Sequence, residues 1–130
     1  MADKNLFNSQ LDASYSYDGV AITLGAGMVD GEVQTNHLIK IPLKMMNRHG
    51  LIAGATGTGK TKSLQVIAEE LSANGVPVLM MDIKGDLSGI AKAGSDNPKI
   101  QDRVLKTGVA WNAQSFPVEL LSLSDQPGLR

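Results

Sequence analysis

The sequence predicts an α/β fold built on a parallel sheet, and two observations support that prediction. A short apolar segment (residues 51–53), a helix with an apolar stripe and a second apolar segment (residues 76–81) follow one another with tight connections. This order is that of a βαβ unit, and wholly apolar strands are typical of parallel sheets covered on both faces. A third strand is expected at residues 116–123, which leaves the predicted sheet incomplete.

Composition narrows the classes of function. The chain has 130 residues, a formal net charge of -1 and no cysteine. These values exclude a disulfide scaffold, a thiolate metal site and a cysteine nucleophile. They also give no overall positive field for non-specific nucleic-acid binding. The start of the chain does not resemble a signal peptide and no apolar run is long enough to span a bilayer, so we expect a cytoplasmic protein without a membrane partner.

Three segments are distinguished along the chain. Residues 1–18 are polar and lack a sustained period, which predicts an irregular arm. Residues 19–46 form a β-rich lead, with strands predicted at 20–24 and 32–43 on either side of a glycine-rich stretch. Residues 47–130 form the first part of the predicted α/β domain.

The helix of the βαβ unit is predicted from its apolar stripe and its stop. Leu64, Ile67, Ala68 and Leu71 recur at helical spacing, and Asn74–Gly75 ends the helix. Further along, a short helix is expected at 87–93, and another at 97–106 with Asp96 or Asn97 as its cap.

The connection between the first strand and this helix carries a recognisable motif. Residues 54–61 read Gly-Ala-Thr-Gly-Thr-Gly-Lys-Thr and satisfy G-x-x-x-x-G-K-[ST], the phosphate-binding P-loop or Walker A pattern. Its glycines let successive backbone N–H groups turn toward a phosphate, and the helix start adds the positive end of its dipole. We therefore expect a bound nucleoside triphosphate, taken as ATP, with Mg²⁺.

Each residue of this loop has an expected role. Lys60 would reach the β- and γ-phosphates and is the catalytic candidate, while the Thr61 hydroxyl would bind Mg²⁺. The other positions serve mainly as backbone donors. The full nucleotide-binding set is Gly54, Ala55, Thr56, Gly57, Thr58, Gly59, Lys60, Thr61 and Lys62.

A second polar segment follows the strand predicted at 76–81. Asp82 comes after a run of apolar residues, as in the Walker B pattern that holds Mg²⁺. However, it follows the strand that comes next in sequence after the P-loop helix, and for this position we favour a switch or structural role. Asp82, Lys84 and Asp86 are candidates for a loop that senses the γ-phosphate. In the alternative interpretation this loop is an ordinary turn, with Asp86 capping a helix from Leu87 and Lys84 solvated.

Residues 47–61, the Gly-Val-Pro-Val at 75–78 and the Asp-Ile-Lys-Gly-Asp-Leu-Ser-Gly at 82–89 together resemble the HerA-like ATPases, and most closely their bacterial YjgR-type group. The resemblance is specific from Leu43 to Gly89 and looser in the tail. It implies a RecA-like P-loop ATPase of the ASCE class, in the HerA/FtsK superfamily, which assembles into hexameric rings and couples ATP hydrolysis to helicase-like movement of DNA.

The same resemblance implies that the Walker B carboxylates, polar sensor and arginine finger would lie beyond Arg130. The chain is accordingly expected to be an N-terminal fragment of such an ATPase, and whether it hydrolyses ATP by itself stays open.

Two other functions fit the residues. One is a small-molecule P-loop kinase with Asp82 or Asp86 at the acceptor hydroxyl. Against it, the sequence has no evident arginine-rich lid segment of the kind such kinases use, and Arg103 alone is weak evidence for one. The other is a nucleotide-binding module without turnover. The sequence contains no motif that selects adenine over guanine.

Overall fold

A computed structural model of the chain describes residues 3–122, and in that range it contains a two-stranded antiparallel sheet and three α-helices. The chain is therefore of mixed α/β class. No helix in the described range has the length and apolar character needed to cross a bilayer. In chain order the elements are α1 (Lys4–Ser14), β1 (Ala21–Val29), β2 (Glu32–Pro42), α2 (Lys60–Ala73) and α3 (Pro98–Thr107), with short 3₁₀ turns at Leu43–Met45 and Ser88–Ala91.

The β-rich lead is a single hairpin. β1 and β2 pair from Ala21 opposite Pro42 to Val29 opposite Glu32. The predicted break over residues 25–31 is wrong for most of its length, because glycines inside a strand still donate and accept ladder hydrogen bonds. The turn is confined to residues 30 and 31, whose φ angles of 49° and 79° suit the two-residue turn that matches strand twist.

The predicted irregular arm is wrong, because residues 4–14 form α1. Asp3 caps the helix by accepting from the N–H groups of residues 5 and 6, at 3.0 and 3.2 Å. The sequence pattern concealed the helix because the stripe that docks on β2 is polar, while the apolar contact with β1 is made by Phe7 and Leu11 near Gly27. Lys4, Asn8 and Asp12, one turn apart, contact Glu32, Gln34 and His37 of β2. The Asn8 to Gln34 hydrogen bond is 3.2 Å long, and His37 Nδ1 lies 2.9 Å from the Asp12 carboxylate.

α2 begins and ends where its sequence predicts. It packs against the hairpin and, with Ile22 and Val29 of β1, supplies the buried apolar core through Ala68 and Leu71. The buried stripe is rotated from the predicted one, because Leu64 is exposed while Gln65 is buried. The face toward the hairpin therefore differs from the face that a parallel sheet would cover.

The three segments predicted as parallel strands are not paired in the described residues. In the sequence, residues 51–53 precede α2 and residues 76–81 follow it. The side chains of Leu51, Leu79 and Met81 are more than four-fifths exposed to solvent. A strand needs ladder hydrogen bonds to a neighbour. The N–H groups of Val76 and Phe116 donate instead to the carbonyls of Leu71 and Ile90, outside the three segments. Residue 123 of the third segment lies outside the described range.

The downstream helices are close to their predicted positions. The helix expected at 97–106 is α3, with Asn97 as the cap rather than Asp96. α3 packs against β2, where the Thr35 hydroxyl donates to the carbonyl of Lys106 at 2.8 Å. The expected helix at 87–93 is the shorter 3₁₀ turn Ser88–Ala91.

Candidate functional site

The loop at residues 54–61 adopts a conformation that depends on its glycines. Gly57 and Gly59 have φ angles of 82° and 95°, in the left-handed region that other residues rarely enter. At Gly54 a Cβ atom would stand 2.6 Å from the Thr58 hydroxyl, so that position has no room for a side chain. The loop is therefore a tight, glycine-dependent turn leading into α2.

Lys60 is folded back onto this turn. Its Nζ donates to the carbonyl of Ala55 at 2.8 Å, and the Thr58 hydroxyl donates to the same oxygen at 2.8 Å. The N–H of Thr58 approaches it at 3.4 Å. The Ala55 carbonyl thus holds the lysine that the sequence predicts to contact phosphate.

The start of α2 presents unpaired donors. Gly59 is the N-cap and no side chain caps the helix, so the first intrahelical bond runs from the N–H of Ser63 to the Gly59 carbonyl at 2.9 Å. The N–H groups of residues 60–62 precede that bond and have no intrahelical partner. They lie at the positive end of the helix dipole, which favours an anion.

The Thr61 side chain is available to a ligand. It is exposed, and its hydroxyl makes no hydrogen bond with any other described residue. Thr56 is likewise exposed. Lys62 interacts electrostatically with Glu69, which lies two turns further along α2. Partial burial is the main cause that raises the Glu69 pKa, and Lys62 opposes it. Glu69 is accordingly half-buried on α2.

Asp82 organises the segment that follows it, which we call the 82–89 loop (residues 82–89). Its carboxylate accepts from the N–H groups of Lys84 and Gly85, both at 3.0 Å, and of Leu87 at 2.8 Å. These backbone bonds, the one from Leu87 first, lower the pKa of Asp82. The capping expected of Asp86 in the alternative interpretation is wrong, because the 3₁₀ turn Ser88–Ala91 begins after Leu87 and has no side-chain cap.

Lys84 and Asp86 remain open to solvent. Both are exposed, and neither charged group is paired with another described residue. Asp86 instead takes part through its backbone, since its carbonyl accepts from the side-chain amide of Gln65 at 3.0 Å. Gln65 lies on α2, so this bond joins the P-loop helix to the 82–89 loop.

Sequence reasoning missed Gln65. The one available signal was its position four residues after Thr61, which places both side chains on the same face of the helix. The apolar stripe drew attention to Leu64 instead. Elsewhere in residues 3–122, no group of three or more histidine and acidic side chains is placed to hold a metal ion.

Comparison with known proteins places the chain by family. No curated protein and no solved structure matches it. The sequence model of the family described as helicase HerA-like C-terminal matches residues 28–130, a region that starts near the end of β1 and includes the P-loop and the 82–89 loop. Since that match covers well over half of its length, the chain belongs to the HerA-like family, a helicase- and ATPase-related group.

Proposed function

We propose that the chain binds Mg·ATP at residues 54–61, as the nucleotide-binding part of a HerA-like ATPase. The observation that supports this most strongly is the combination at one point of a glycine-dependent turn and an uncapped helix start. Gly57 and Gly59 shape the turn, and the free Thr61 hydroxyl lies in the first turn of α2. Together with family membership, these features favour a phosphate ligand over a structural turn.

Binding would rearrange the loop in a definite way. Lys60 would leave the Ala55 carbonyl and place its ammonium at the β- and γ-phosphates, since a triphosphate is a stronger acceptor than a neutral carbonyl. Backbone N–H groups of residues 55–62 would surround the phosphates, and Thr61 would ligate Mg²⁺. The chemistry supplied by Mg²⁺ is neutralisation of charge on the β- and γ-phosphate oxygens.

We also propose an arrangement for the two apolar segments that flank α2 in the sequence. Residues 51–53 and 76–81 flank α2 and expose apolar side chains such as Leu51, Leu79 and Met81. We propose that both are strands of a parallel RecA-like sheet that would cover those side chains. Exposed Leu64 on α2 would then pack on that sheet.

ATP hydrolysis, DNA movement and assembly into a hexameric ring are what the HerA-like resemblance implies, and we include them in the proposal for the whole protein. In that reaction Lys60 would stabilise charge on the transferred phosphoryl group. Asp82 is not assigned as a metal ligand, because its carboxylate already accepts three backbone N–H groups. Light scattering with and without Mg·ATPγS and duplex DNA tests assembly and DNA binding.

Calorimetric titration of the protein with Mg·ATP tests the binding proposal. Lys60→Ala should weaken binding at least about tenfold, since a hydrogen bond to a charged group contributes about 1.5–3 kcal/mol. Lys99→Ala, a substitution of an exposed lysine on α3, should leave affinity within about twofold. A folded wild-type protein that shows no heat of binding with millimolar Mg·ATP would refute the proposal.

A small-molecule kinase is the second candidate, and the unpaired carboxylate of Asp86 is the observation that favours it. Asp86→Asn would then abolish acceptor-dependent ADP release and leave ATP affinity unchanged. A HerA-like motor predicts no stimulation by small hydroxylated acceptors.

A further inference from the structure

Gln65 is a buried polar side chain on an otherwise exposed stretch of helix. It is 7% exposed, whereas its neighbours Leu64 and Val66 are 40% and 37% exposed. Burying an amide is costly unless it forms hydrogen bonds. Its Nε2 meets that requirement by donating to the carbonyl of Asp86, 21 residues away in sequence.

The position of Gln65 links two parts of the site. It lies four residues after Thr61, so the two side chains are neighbours on one face of α2, about one helical turn of 5.4 Å apart. The carbonyl of Asp86 is thereby held one turn from the proposed Mg²⁺ ligand.

The 82–89 loop is held together by its own hydrogen bonds. The Asp82 carboxylate ties together the N–H groups of Lys84, Gly85 and Leu87. The Ser88 hydroxyl adds a bond of 3.0 Å to the Gly85 carbonyl. A restraint on the Asp86 carbonyl in the middle of this segment therefore acts on the whole loop.

We propose that Gln65 is a positioning residue that transmits nucleotide occupancy of the P-loop to the 82–89 loop, an inference that rests on the proposed function. The coupling acts through the start of α2. In this structure Lys60 donates to the Ala55 carbonyl. With Mg·ATP, Lys60 and Thr61 are bound to the ligand, and the first turn of α2 is fixed. Gln65, one turn further, carries that difference to the carbonyl of Asp86.

Hydrogen exchange of the peptide spanning residues 82–89, followed by mass spectrometry with and without Mg·ATPγS, tests this coupling. Gln65→Met keeps the approximate volume and removes the donor. Gln65→Glu keeps size and polarity, replaces the donor by an acceptor, and serves if the first variant fails to fold. Gln101→Met is the matched control, since Gln101 is an exposed α3 residue whose amide bonds to Asp96.

In the wild type and the control, Mg·ATPγS should slow exchange of this peptide about fivefold, within the range expected for one net hydrogen bond. In the Gln65 variants the slowing should fall below about twofold, with the Kd for nucleotide within about threefold of wild type. Equal slowing in all proteins would overturn the coupling and leave the proposed function intact. Nucleotide binding without any slowing in the wild type would do the same. Failure of the folded wild type to bind nucleotide would refute both.

Discussion

Replacing Gly27 with valine should destabilise the docking of α1 on the hairpin. A Cβ atom at this position would stand 2.7 Å from Leu11 Cδ2 and 3.3 Å from Phe7 Cε1. Carbon atoms normally rest about 3.5–4.0 Å apart, so relieving the contact with Leu11 requires a shift of about 1 Å. Valine adds two methyl groups beyond that Cβ, so Leu11 and Phe7 must move further than for alanine. Overpacking of this kind costs about 1–3 kcal/mol.

Gly25→Val is the matched control, because Gly25 lies on the same strand and a Cβ atom there meets nothing within 4 Å. Both substitutions gain the same strand propensity and lose the same backbone freedom. The difference between their free energies of unfolding, measured by urea denaturation, therefore isolates the clash with α1. Gly27→Val should also lower the helical signal in circular dichroism.

The paired substitution Gly27→Val with Leu11→Ala supplies a further check. Removing the leucine makes room for the valine, so the double variant should be more stable than the sum of the two single effects predicts. Equal stability of Gly27→Val and Gly25→Val, or strict additivity of the double variant, would refute the docking geometry. Nucleotide binding should change less than about twofold, because α1 packs on the hairpin and its polar stripe contacts β2.

Three further outcomes are expected. The pKa of Asp82 lies below its ordinary value of 3.8, so its contribution to loop stability is present above that pH and is lost as pH falls through the lowered pKa. Hydrogen exchange of residues 82–89, corrected for intrinsic rates, should accelerate there in wild type and not in Asp82→Ala. Asn97→Ala removes the side-chain cap of α3 and should cost about 1 kcal/mol in urea denaturation, whereas Asn97→Ser should cost far less. Gly57→Ala places a side chain at a φ of 82° and should cost about 1–2 kcal/mol and weaken Mg·ATP binding in calorimetry; unchanged affinity would contradict the assigned loop geometry.

The parts of the fold that sequence predicted are those fixed by local chemistry. The limits of α2 and α3 follow from the Gly59 start, the Asn74–Gly75 stop and the Asn97 cap, each of which acts within a few residues. The two strands of the hairpin were likewise predicted, from the apolar residues 20–24 and the alternating pattern within residues 32–43. α1 was not, because its partners on β2 lie about 25 residues away and the stripe that docks on β2 is polar.

The candidate site likewise combines features that the local sequence predicts with contacts that it does not predict. The P-loop pattern of residues 54–61 is visible in the sequence because its glycines and its lysine lie in one continuous segment. The role of Asp82 was only half recognised, since its type and place were visible while its three N–H partners were not. Gln65 escaped notice because its significance depends on the Asp86 carbonyl, a backbone group that no side-chain pattern records.

The feature that the sequence predicts, Lys60, and the contact that it does not, from Gln65, both lie on α2. The first turn of the helix is held by the bond from Lys60 to the Ala55 carbonyl, and the next turn by the bond from Gln65 to the Asp86 carbonyl. A ligand can shift a conformational equilibrium only through interactions that differ between the two states. In the proposed rearrangement the lysine bond is such an interaction, because Lys60 moves its ammonium from the Ala55 carbonyl to the more strongly accepting phosphates. In the proposed coupling, the glutamine bond gives that change a route to the 82–89 loop through one helix and two backbone carbonyls.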